Sequence, residues 1–256
     1  MLIRSIWTVS VDQPTTLPHS YGVELVKRLH QRMGREMLGE GCPPIAFSGL
    51  VGRTQWSPEG VTFYPEEPYE MVLSGLREGE SKAIAQLDLG TALEFLGGVF
   101  RVSDRHDDVT YYESLYQVFV GNEPEGDRRI GLRFLTPTSF SQDRLNLPLP
   151  VPGLMFRSWL ERWNAFSPVF LGEADLVGYL VEGVALSYYR TQTQTYRLPK
   201  GVVTGFRGEV TLNVVTRTDG LLANVAILLA QYGQFCGTGM KTRLGMGHTK
   251  IVNCEL

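Results

Sequence analysis

Residues 221–252 read LLANVAILLAQYGQFCGTGMKTRLGMGHTKIV, in which an apolar helix, a glycine-rich turn and a strand follow one another directly. The apolar run Leu221–Tyr232 predicts a buried helix, and His248–Val252 predicts a closing strand. Two cations in the turn, Lys241 and Arg243, can reach phosphate oxygens. The turn also holds four glycines, which permit positive φ and the close approach of another backbone: Gly237, Gly239, Gly245 and Gly247.

Two familiar nucleotide-binding loops do not fit this turn. A Rossmann loop follows a strand and opens a helix, whereas this turn follows a helix and opens a strand. A Walker loop ends in Gly-Lys-Ser/Thr, and the corresponding residues here are Gly247-His248-Thr249. A tight turn without a ligand remains the alternative interpretation of the glycine spacing.

Outward from this stretch, one order of elements occurs twice along the chain. In the first half, the hydrophobic pattern predicts strand 2–11, helix 20–37, strands 45–51, 61–64 and 69–76, helix 80–87, and strands 96–102 and 115–120. In the second half it predicts strand 130–135, helix 152–166, strands 184–189 and 208–215, and the closing helix and strand. Strand–helix–strand–strand–helix–strand, repeated, predicts an α+β protein of two tandem ferredoxin-like (RRM-like) domains. The polar run GNEPEGDRR (121–129) predicts the boundary, which gives domains 1–125 and 126–256.

The net charge of −3 conceals an asymmetry between the two halves. Residues 1–129 hold 12 Lys and Arg against 19 Asp and Glu, a balance of −7, and residues 130–256 hold 12 against 8, a balance of +4. Within 186–217 five basic residues face one acidic residue, Glu209. A local basic surface of this kind attracts phosphates, although a solvated polar face would have the same composition.

Several classes of protein are disfavoured by composition. No run of about eighteen apolar residues exists to cross a membrane, and the first residues do not resemble a secretory signal. The three cysteines, Cys42, Cys236 and Cys254, are far apart and predict neither a disulfide framework nor a zinc site. We therefore expect a cytoplasmic protein that needs no metal and no cofactor.

Five segments, taken together, resemble the CRISPR-associated endoribonucleases of the Cas-six family, within the RAMP superfamily. They are AFSGL (46–50), RFLTPTSF (133–140), PVPGLMF to RWNAFSP (150–168), GFRG (205–208) and the glycine turn (237–247). The resemblance implies metal-independent cutting of CRISPR repeat RNA, in which a 2′-hydroxyl attacks the adjacent phosphate and leaves a 2′,3′-cyclic phosphate. It also implies that the protein binds repeat RNA, as a stem-loop or a single strand, and joins other Cas proteins in an interference complex.

Two other functions agree with parts of the sequence. A non-catalytic RAMP subunit that binds guide RNA would share the glycine turn, the basic segment and the tandem fold. A metabolic enzyme with a ferredoxin-like fold and a small-molecule pocket is the second alternative. The sequence has no HExxH, GxSxG or GxxxxGK[ST] motif to support that second alternative.

The implied reaction requires a base, an acid and cations, and histidine suits the first two roles because its pKa lies near neutrality. His106 lies in an acidic run that predicts a solvated loop, and His248 opens the predicted last strand. The remaining candidates are His19 and His30, which the sequence ranks nearly level. Members of the family commonly have a histidine shortly before the Phe-Ser strand, but GEGCPP (39–44) contains none.

The surroundings of the two candidate histidines differ. His19 lies in LPHSYG (17–22), just ahead of the predicted helix, and the nearby Tyr21 is a candidate for positioning the ribose. His30 follows Lys27 by one helical turn, and a cation at that spacing favours the neutral imidazole that a general base needs. An ordinary helix-boundary histidine and a core tyrosine are the alternative interpretations.

Cations and tyrosines of the second half are the candidates for RNA binding. Arg190, Arg197, Lys200 and Arg207 follow the basic strand-and-hairpin segment, and Lys241 and Arg243 lie with the four glycines in the turn. Tyr188, Tyr189 and Tyr196 are interleaved with these cations, and strand alternation allows only one of the first two, taken here as Tyr189, to face a base. Arg157 and Arg162 on the helix 152–166 are secondary candidates. The hypothesis is that the basic hairpin and the glycine turn form one cradle for a sugar–phosphate chain.

Overall fold

Two antiparallel sheets with the same internal strand order organise the chain in the computed structural model, which describes residues 1–35, 41–121, 128–143, 145–215 and 219–252. The first half contains β1 Leu2–Ser10, β2 Thr15–Leu17, α1 Tyr21–Arg32, β3 Ile45–Val51, β4 Gln55–Ser57, β5 Gly60–Phe63, β6 Tyr69–Gly75, α2 Glu78–Ala85, β7 Ala92–Phe95, β8 Gly98–Thr110 and α3 Tyr112–Phe119. The second half contains β9 Arg129–Thr138, β10 Phe140–Gln142, β11 Leu145–Leu147, α4 Pro152–Phe166, α5 Ala174–Gly183, β12 Val184–Arg197, β13 Val202–Val214, α6 Gly220–Cys236 and β14 Thr249–Val252.

The strand orders identify the fold class. The first sheet has the order β3-β6-β1-β8-β7, and the second has the order β12-β13-β9-β14. The four strands of the first βαββαβ unit are β1, β3, β6 and β8, and those of the second are β9, β12, β13 and β14. In each sheet the first of these four strands lies between the third and the fourth, and the second lies at the edge. This is the ferredoxin-like arrangement, present twice, so the predicted α+β class is confirmed.

Each sheet buries one face under its own helices. In the first unit, Trp7 and Val9 alternate inward from β1 and pack with Leu25 and Leu29 of α1. The second core is larger and includes Trp159 and Trp163 of α4 together with the inward residues of β9 and β13 and the apolar residues of α6. Period-two alternation in the strands and period-3.6 spacing in the helices therefore account for both cores.

The second unit covers the open face of the first sheet. Arg4 of β1 lies over the ring of Phe235 of α6, 5.6 Å from its centroid, and donates to Gln234 Oε1 at 3.3 Å. On the neighbouring strand β6, Glu70 forms a 2.6 Å ion pair with Lys250 of β14. This contact between the units is what allows one pocket to draw residues from both.

Some predicted elements were wrong. The predicted strand 115–120 is part of helix α3, because Tyr112, Leu115, Tyr116 and Phe119 recur at helical spacing and pack on the second core. His106 lies in strand β8, where it contacts Asp108 at 2.9 Å, and is not in a loop. Helix α1 ends at Arg32, ahead of the predicted Met37, which lies outside the described residues together with Gly39.

Other elements were not predicted. Strands β2 and β4 and helix α5 carry weak periodicity because they are short, whereas β5, which lies between those two strands, corresponds to the predicted strand 61–64. The hairpin β12–β13 is longer than the two predicted strands and pairs continuously from Val184 to Arg197 apart from one bulge. Within the described ranges, no helix has the length and apolarity needed to cross a membrane.

The division into domains 1–125 and 126–256 stays a prediction, because residues 122–127 lie outside the described residues. Helix α3, which precedes that boundary, packs on the second core through Tyr112. The ring of Tyr112 lies edge-on to Trp163, with centroids 5.0 Å apart, and its hydroxyl is 3.3 Å from that of Tyr232. The first unit is thus anchored to the second before the chain enters it.

Candidate active site

A pocket between the two sheets holds His19. The first unit contributes His19, Tyr21 and Trp56, and the second contributes Tyr196 and Arg207. Other residues line the same pocket: Ser48, Gly49 and Leu50 of β3, Thr136 and Pro137 of β9, Gln194 of β12 and Gly245 of the glycine turn. The structure therefore brings together two predicted catalytic residues, His19 and Tyr21, and three candidates for RNA binding that are distant from them in sequence: Tyr196, Arg207 and Gly245.

The small three-stranded sheet positions His19. Leu17 of β2 and Trp56 of β4 are both paired with Val61 of the central strand β5. This arrangement brings the Trp56 ring beside His19, with ring centroids 5.1 Å apart and planes inclined by 23°. The imidazole is half-buried, and its Nδ1 has no hydrogen-bond partner among the described residues. That nitrogen is buried, but the ring as a whole is held by stacking at the wall of the pocket, where an imidazole can take part in proton transfer.

Tyr21 is a neutral hydrogen-bonding group in this pocket. Burial raises its pKa to about 12, against smaller opposing effects of its hydrogen bond to Leu50 and of the Arg207 charge. Its hydroxyl donates to the Leu50 carbonyl oxygen at 3.3 Å, and its ring lies edge-on to Phe63. At neutral pH this phenol keeps its proton, so it can orient a ribose but does not act as a base.

Arg207 supplies the positive charge. Its Nη1 donates to Gln194 Oε1 at 3.0 Å, and burial lowers the pKa of its guanidinium below the ordinary value. Arginine nevertheless stays protonated in proteins. A partly desolvated cation at this position acts strongly on negative charge that develops nearby, because water screens it less.

The glycine turn forms a wall of the pocket and packs on the protein itself. The φ angles of Gly237, Gly239, Gly245 and Gly247 are 69°, 78°, 102° and 75°. A Cβ on Gly239 would lie 2.3 Å from the Ser139 carbonyl oxygen, and one on Gly245 would lie 2.6 Å from the Tyr196 hydroxyl. The predicted close approach of backbone therefore occurs, but the backbone is the protein's own. Lys241 and Arg243 remain half-buried on this turn.

One face of strand β12 leads to the pocket. Alternation places five residues on that face: Tyr188, Arg190, Gln192, Gln194 and Tyr196. Tyr188 and Arg190 are exposed, whereas Gln194 and Tyr196 line the pocket. The Tyr196 hydroxyl donates to the Leu244 carbonyl oxygen, so Tyr196 supports the glycine turn and is not free to stack on a base.

The hairpin tip carries two further predicted cations. Arg197 and Lys200 are exposed at the end of the hairpin β12–β13. In the described part of the chain neither they nor Arg190 form an ion pair. Glu209, the acidic residue of the basic segment, is instead paired with Arg133 at 2.6 Å.

The choice between Tyr188 and Tyr189 is reversed in the structure. A register shift between Leu186 and Tyr188 places Tyr189 opposite the buried Val210, on the face that the helices cover. Tyr188 therefore shares the open face with Arg190. Tyr189 is 64% exposed at the sheet edge but points away from the cationic face.

The other predicted catalytic residues lie elsewhere. His30 is buried in α1, two helical turns beyond Gly22, and in the described structure it is not among the residues lining the His19 pocket. Lys27 is exposed, forms a 2.7 Å ion pair with Glu24, and is not among the described residues that line the pocket. His248 is also buried, on the open face between the units.

The two secondary arginines have different environments. Arg157 is exposed on α4, as an RNA-binding residue requires. Arg162 is only 8% exposed, and its guanidinium donates to Ser158 and to the Gly239 carbonyl oxygen. Arg162 is therefore held beneath the glycine turn, and its part in RNA binding stays a prediction.

Sequence reasoning missed Trp56 and Gln194 as pocket residues. Trp56 lies in a three-residue strand, and only the pairing of β4 with β5 places it beside His19. Gln194 would have been found by extending the strand alternation from Arg190 to the end of β12.

These features define the class of protein, a tandem ferredoxin-like protein with a pocket at the junction of its units that holds a histidine, a tyrosine and an arginine. The family model described as CRISPR-associated endoribonuclease Cas6 matches residues 132–249. The CRISPR-associated endoribonuclease Cas6 of Streptococcus thermophilus is 31% identical over 214 residues, covering 81% of this chain and 80% of that protein. The chain belongs to the Cas6 family of CRISPR-associated endoribonucleases.

Solved structures share the fold over the whole chain. A Cas6 product complex has a TM-score of 0.74 at 22% sequence identity, covering 99% of this chain and 100% of that chain. Thermus thermophilus Cas6 has a TM-score of 0.72 at 22% identity, covering 98% of each chain. The tandem arrangement is therefore a property of the family fold.

Proposed function

We propose that this protein is a metal-independent endoribonuclease that cuts CRISPR repeat RNA to produce mature guide RNAs. The observation that carries the proposal is the meeting of His19, Tyr21 and Arg207 in one pocket at the end of a cationic strand face. Membership of the Cas6 family supports the substrate class. Free thiols at Cys42 and Cys236 suit a reducing cytoplasm, where we expect the protein to act.

The proposed reaction is an internal transesterification. The 2′-hydroxyl of the nucleotide before the cut attacks the adjacent phosphorus, and His19 accepts its proton. Arg207 stabilises the charge that develops on the phosphate oxygens, and the neutral phenol of Tyr21 orients the ribose. The bond from phosphorus to the 5′-oxygen breaks, and water protonates the leaving oxygen. The products are a 2′,3′-cyclic phosphate and a 5′-hydroxyl.

The proposed RNA path follows the open face of β12. Tyr188 provides an exposed ring on which a base can stack, and Arg190 provides a phosphate contact next to it. Arg197 and Lys200 extend the positive surface at the hairpin tip, and Lys241 and Arg243 lie on the glycine turn, whose Gly245 lines the pocket. Assembly with other Cas proteins is a further expectation of the family resemblance.

The decisive experiment incubates the purified protein with candidate repeat RNAs in EDTA and maps the ends of the products. We expect cutting at one position, with a cyclic phosphate on the upstream fragment. Binding without cutting would favour the alternative, a non-catalytic RAMP subunit that holds guide RNA. Normal cutting by His19→Ala would show that the site is misplaced while leaving the family assignment intact.

A further inference from the structure

Arg162 connects helix α4 to the glycine turn. Its Nη1 donates to the Ser158 carbonyl oxygen at 2.8 Å, and its Nη2 donates to the Gly239 carbonyl oxygen at 2.6 Å. The Gly239 N–H in turn donates to Ser158 Oγ at 2.8 Å. Gly239 is therefore fixed from both sides by one turn of α4, and the guanidinium has a defined position.

One donor of this fixed guanidinium is unused. Arg162 is 8% exposed, and its Nε is buried without a hydrogen-bond partner among the described residues. Leaving a donor of a charged group unpaired inside a protein is costly, so an acceptor that bears negative charge is the expected complement. Nη1 directs its two N–H groups to the carbonyl oxygen and the Oγ of Ser158, and Nη2 directs one N–H to Gly239, so Nε is the guanidinium nitrogen without a protein partner in the described structure.

A cavity adjoins Arg162 and has room for such a ligand. It has a volume of about 480 Å³ and is open to solvent, and its described lining includes Arg157, Ser158 and Glu161 of α4, Gly239 and Met240 of the glycine turn, and Cys42 of the first unit. Arg157 is exposed there and has no ion-pair partner in the described parts of the chain. Two arginines against one glutamate leave the lining positively charged.

We infer that this cavity binds a non-scissile phosphate of the RNA, on the flank of the glycine turn opposite the His19 pocket. The inference rests on the proposed function, since RNA is the ligand it assumes. Gly245 lines the pocket of His19, and Gly239 lines the cavity of Arg162, so one turn separates the two sites. Guanidinium groups bind phosphate through their N–H donors, which the Nε of Arg162 and the exposed guanidinium of Arg157 can supply.

The test uses variants that keep the hydrogen bonds of Arg162 and Ser158 to Gly239, because Arg162→Ala would also remove a contact that holds the glycine turn. Arg157→Ala removes one cation from the cavity, and Glu161→Gln removes its opposing charge. Arg28→Ala, which removes an exposed arginine from α1, is the matched control. Binding is measured in EDTA with repeat RNA that carries a 2′-deoxy nucleotide at the cut position, so the RNA stays intact.

We expect Arg157→Ala to weaken binding by about threefold to tenfold and to lower the slope of log K against log salt by about one phosphate contact. We expect Glu161→Gln to tighten binding, and Arg28→Ala to leave both quantities unchanged. An Arg157→Ala variant that matched Arg28→Ala in affinity and slope would overturn the site.

A second measurement locates the phosphate. Replacing single phosphates of the RNA by neutral methylphosphonates should reveal one position, outside the cut, whose replacement weakens wild-type binding but not that of Arg157→Ala. The inference would be contradicted if the affected position were the scissile phosphate, or if no methylphosphonate weakened wild-type binding more than that of Arg157→Ala. Cutting by wild type and by His19→Ala is scored separately, so failure of the proposed reaction is distinguishable from failure of this phosphate site.

Discussion

The two ferredoxin-like units share a strand order but differ in charge and in the chemistry they carry. The first half of the chain has a balance of −7 and supplies His19, Tyr21 and Trp56. The second has a balance of +4 and supplies the cationic hairpin and Arg207. Under the proposed reaction, one scaffold used twice separates proton transfer in the first unit from phosphate binding in the second. The residues proposed for the two roles meet in the pocket where the units touch.

The largest expected effect tests the role of the first unit. His19→Ala should lower the single-turnover cutting rate by about 10²- to 10⁴-fold, because the proton acceptor is lost. RNA affinity should stay within about twofold, since affinity depends mainly on phosphate contacts in the second unit. His30→Gln is the control at a histidine outside the pocket. An equal loss of cutting and binding in His19→Ala would contradict the proposal that the first unit supplies proton transfer and the second supplies phosphate binding.

Arg207 lies where the two functions meet, so its substitution should affect both. Arg207→Gln is expected to lower the cutting rate by about 10²-fold, in the range found when one stabilising donor of a developing charge is removed. Arg207→Lys keeps a charge but loses the planar fork and should recover part of this loss. Rates at saturating RNA and dissociation constants in EDTA separate the two effects. A change in affinity alone would assign Arg207 to binding.

The junction itself should be sensitive to acid through His248. Burial lowers the pKa of His248 to about 3, and the charges of Lys250 and Arg4 act in the same direction. An unfolded histidine has a pKa of about 6.5, so below that pH the unfolded chain binds a proton that the folded chain excludes. The contribution of neutral His248 to stability is complete above pH 6.5 and is lost as the pH falls toward 3.

Urea unfolding at two pH values measures this contribution. Between pH 6.5 and pH 4.5 the wild type should lose about 2–3 kcal/mol more of its free energy of unfolding than His248→Gln. His106→Gln, which alters an exposed histidine of β8, should follow the wild type. If His248→Gln and the wild type lost stability in parallel, the junction would not be the acid-sensitive element.

The smallest effect belongs to the hairpin tip. Arg197→Ala and Lys200→Ala should each weaken RNA binding by a few fold and reduce its salt dependence. The rate at which bound RNA is cut should stay unchanged. The contacts are exposed and screened, which limits the contribution of each. Filter binding at several salt concentrations measures it. A large loss of cutting at saturating RNA would show that the second unit also positions the reacting groups.

Much of the fold was determined by local sequence pattern. The helix 152–166 and the strand 45–51 were predicted with the observed boundaries, because long periodic segments bury one face each. The strand predicted at 115–120 was wrong because a short apolar run fits the period of a strand and that of a helix equally well, and packing on the second core selected the helix. The glycine turn was recognised from the spacing of its glycines. In the structure, the absence of a side chain at Gly239 and Gly245 allows close packing against Ser139 and Tyr196 of the protein itself.

The sequence by itself determined the repeated βαββαβ order, the charge asymmetry and a short set of candidate residues, since all of these depend on neighbours along the chain. Only the tertiary structure separated His19 from His30, because it shows that His19 lines the same pocket as Arg207 and that His30 is not among the described residues lining it. It also exchanged Tyr189 for Tyr188 through one bulge, and buried Arg162 beneath Gly239. Each of these outcomes depends on strand register or on contacts between distant segments, which side-chain periodicity does not encode.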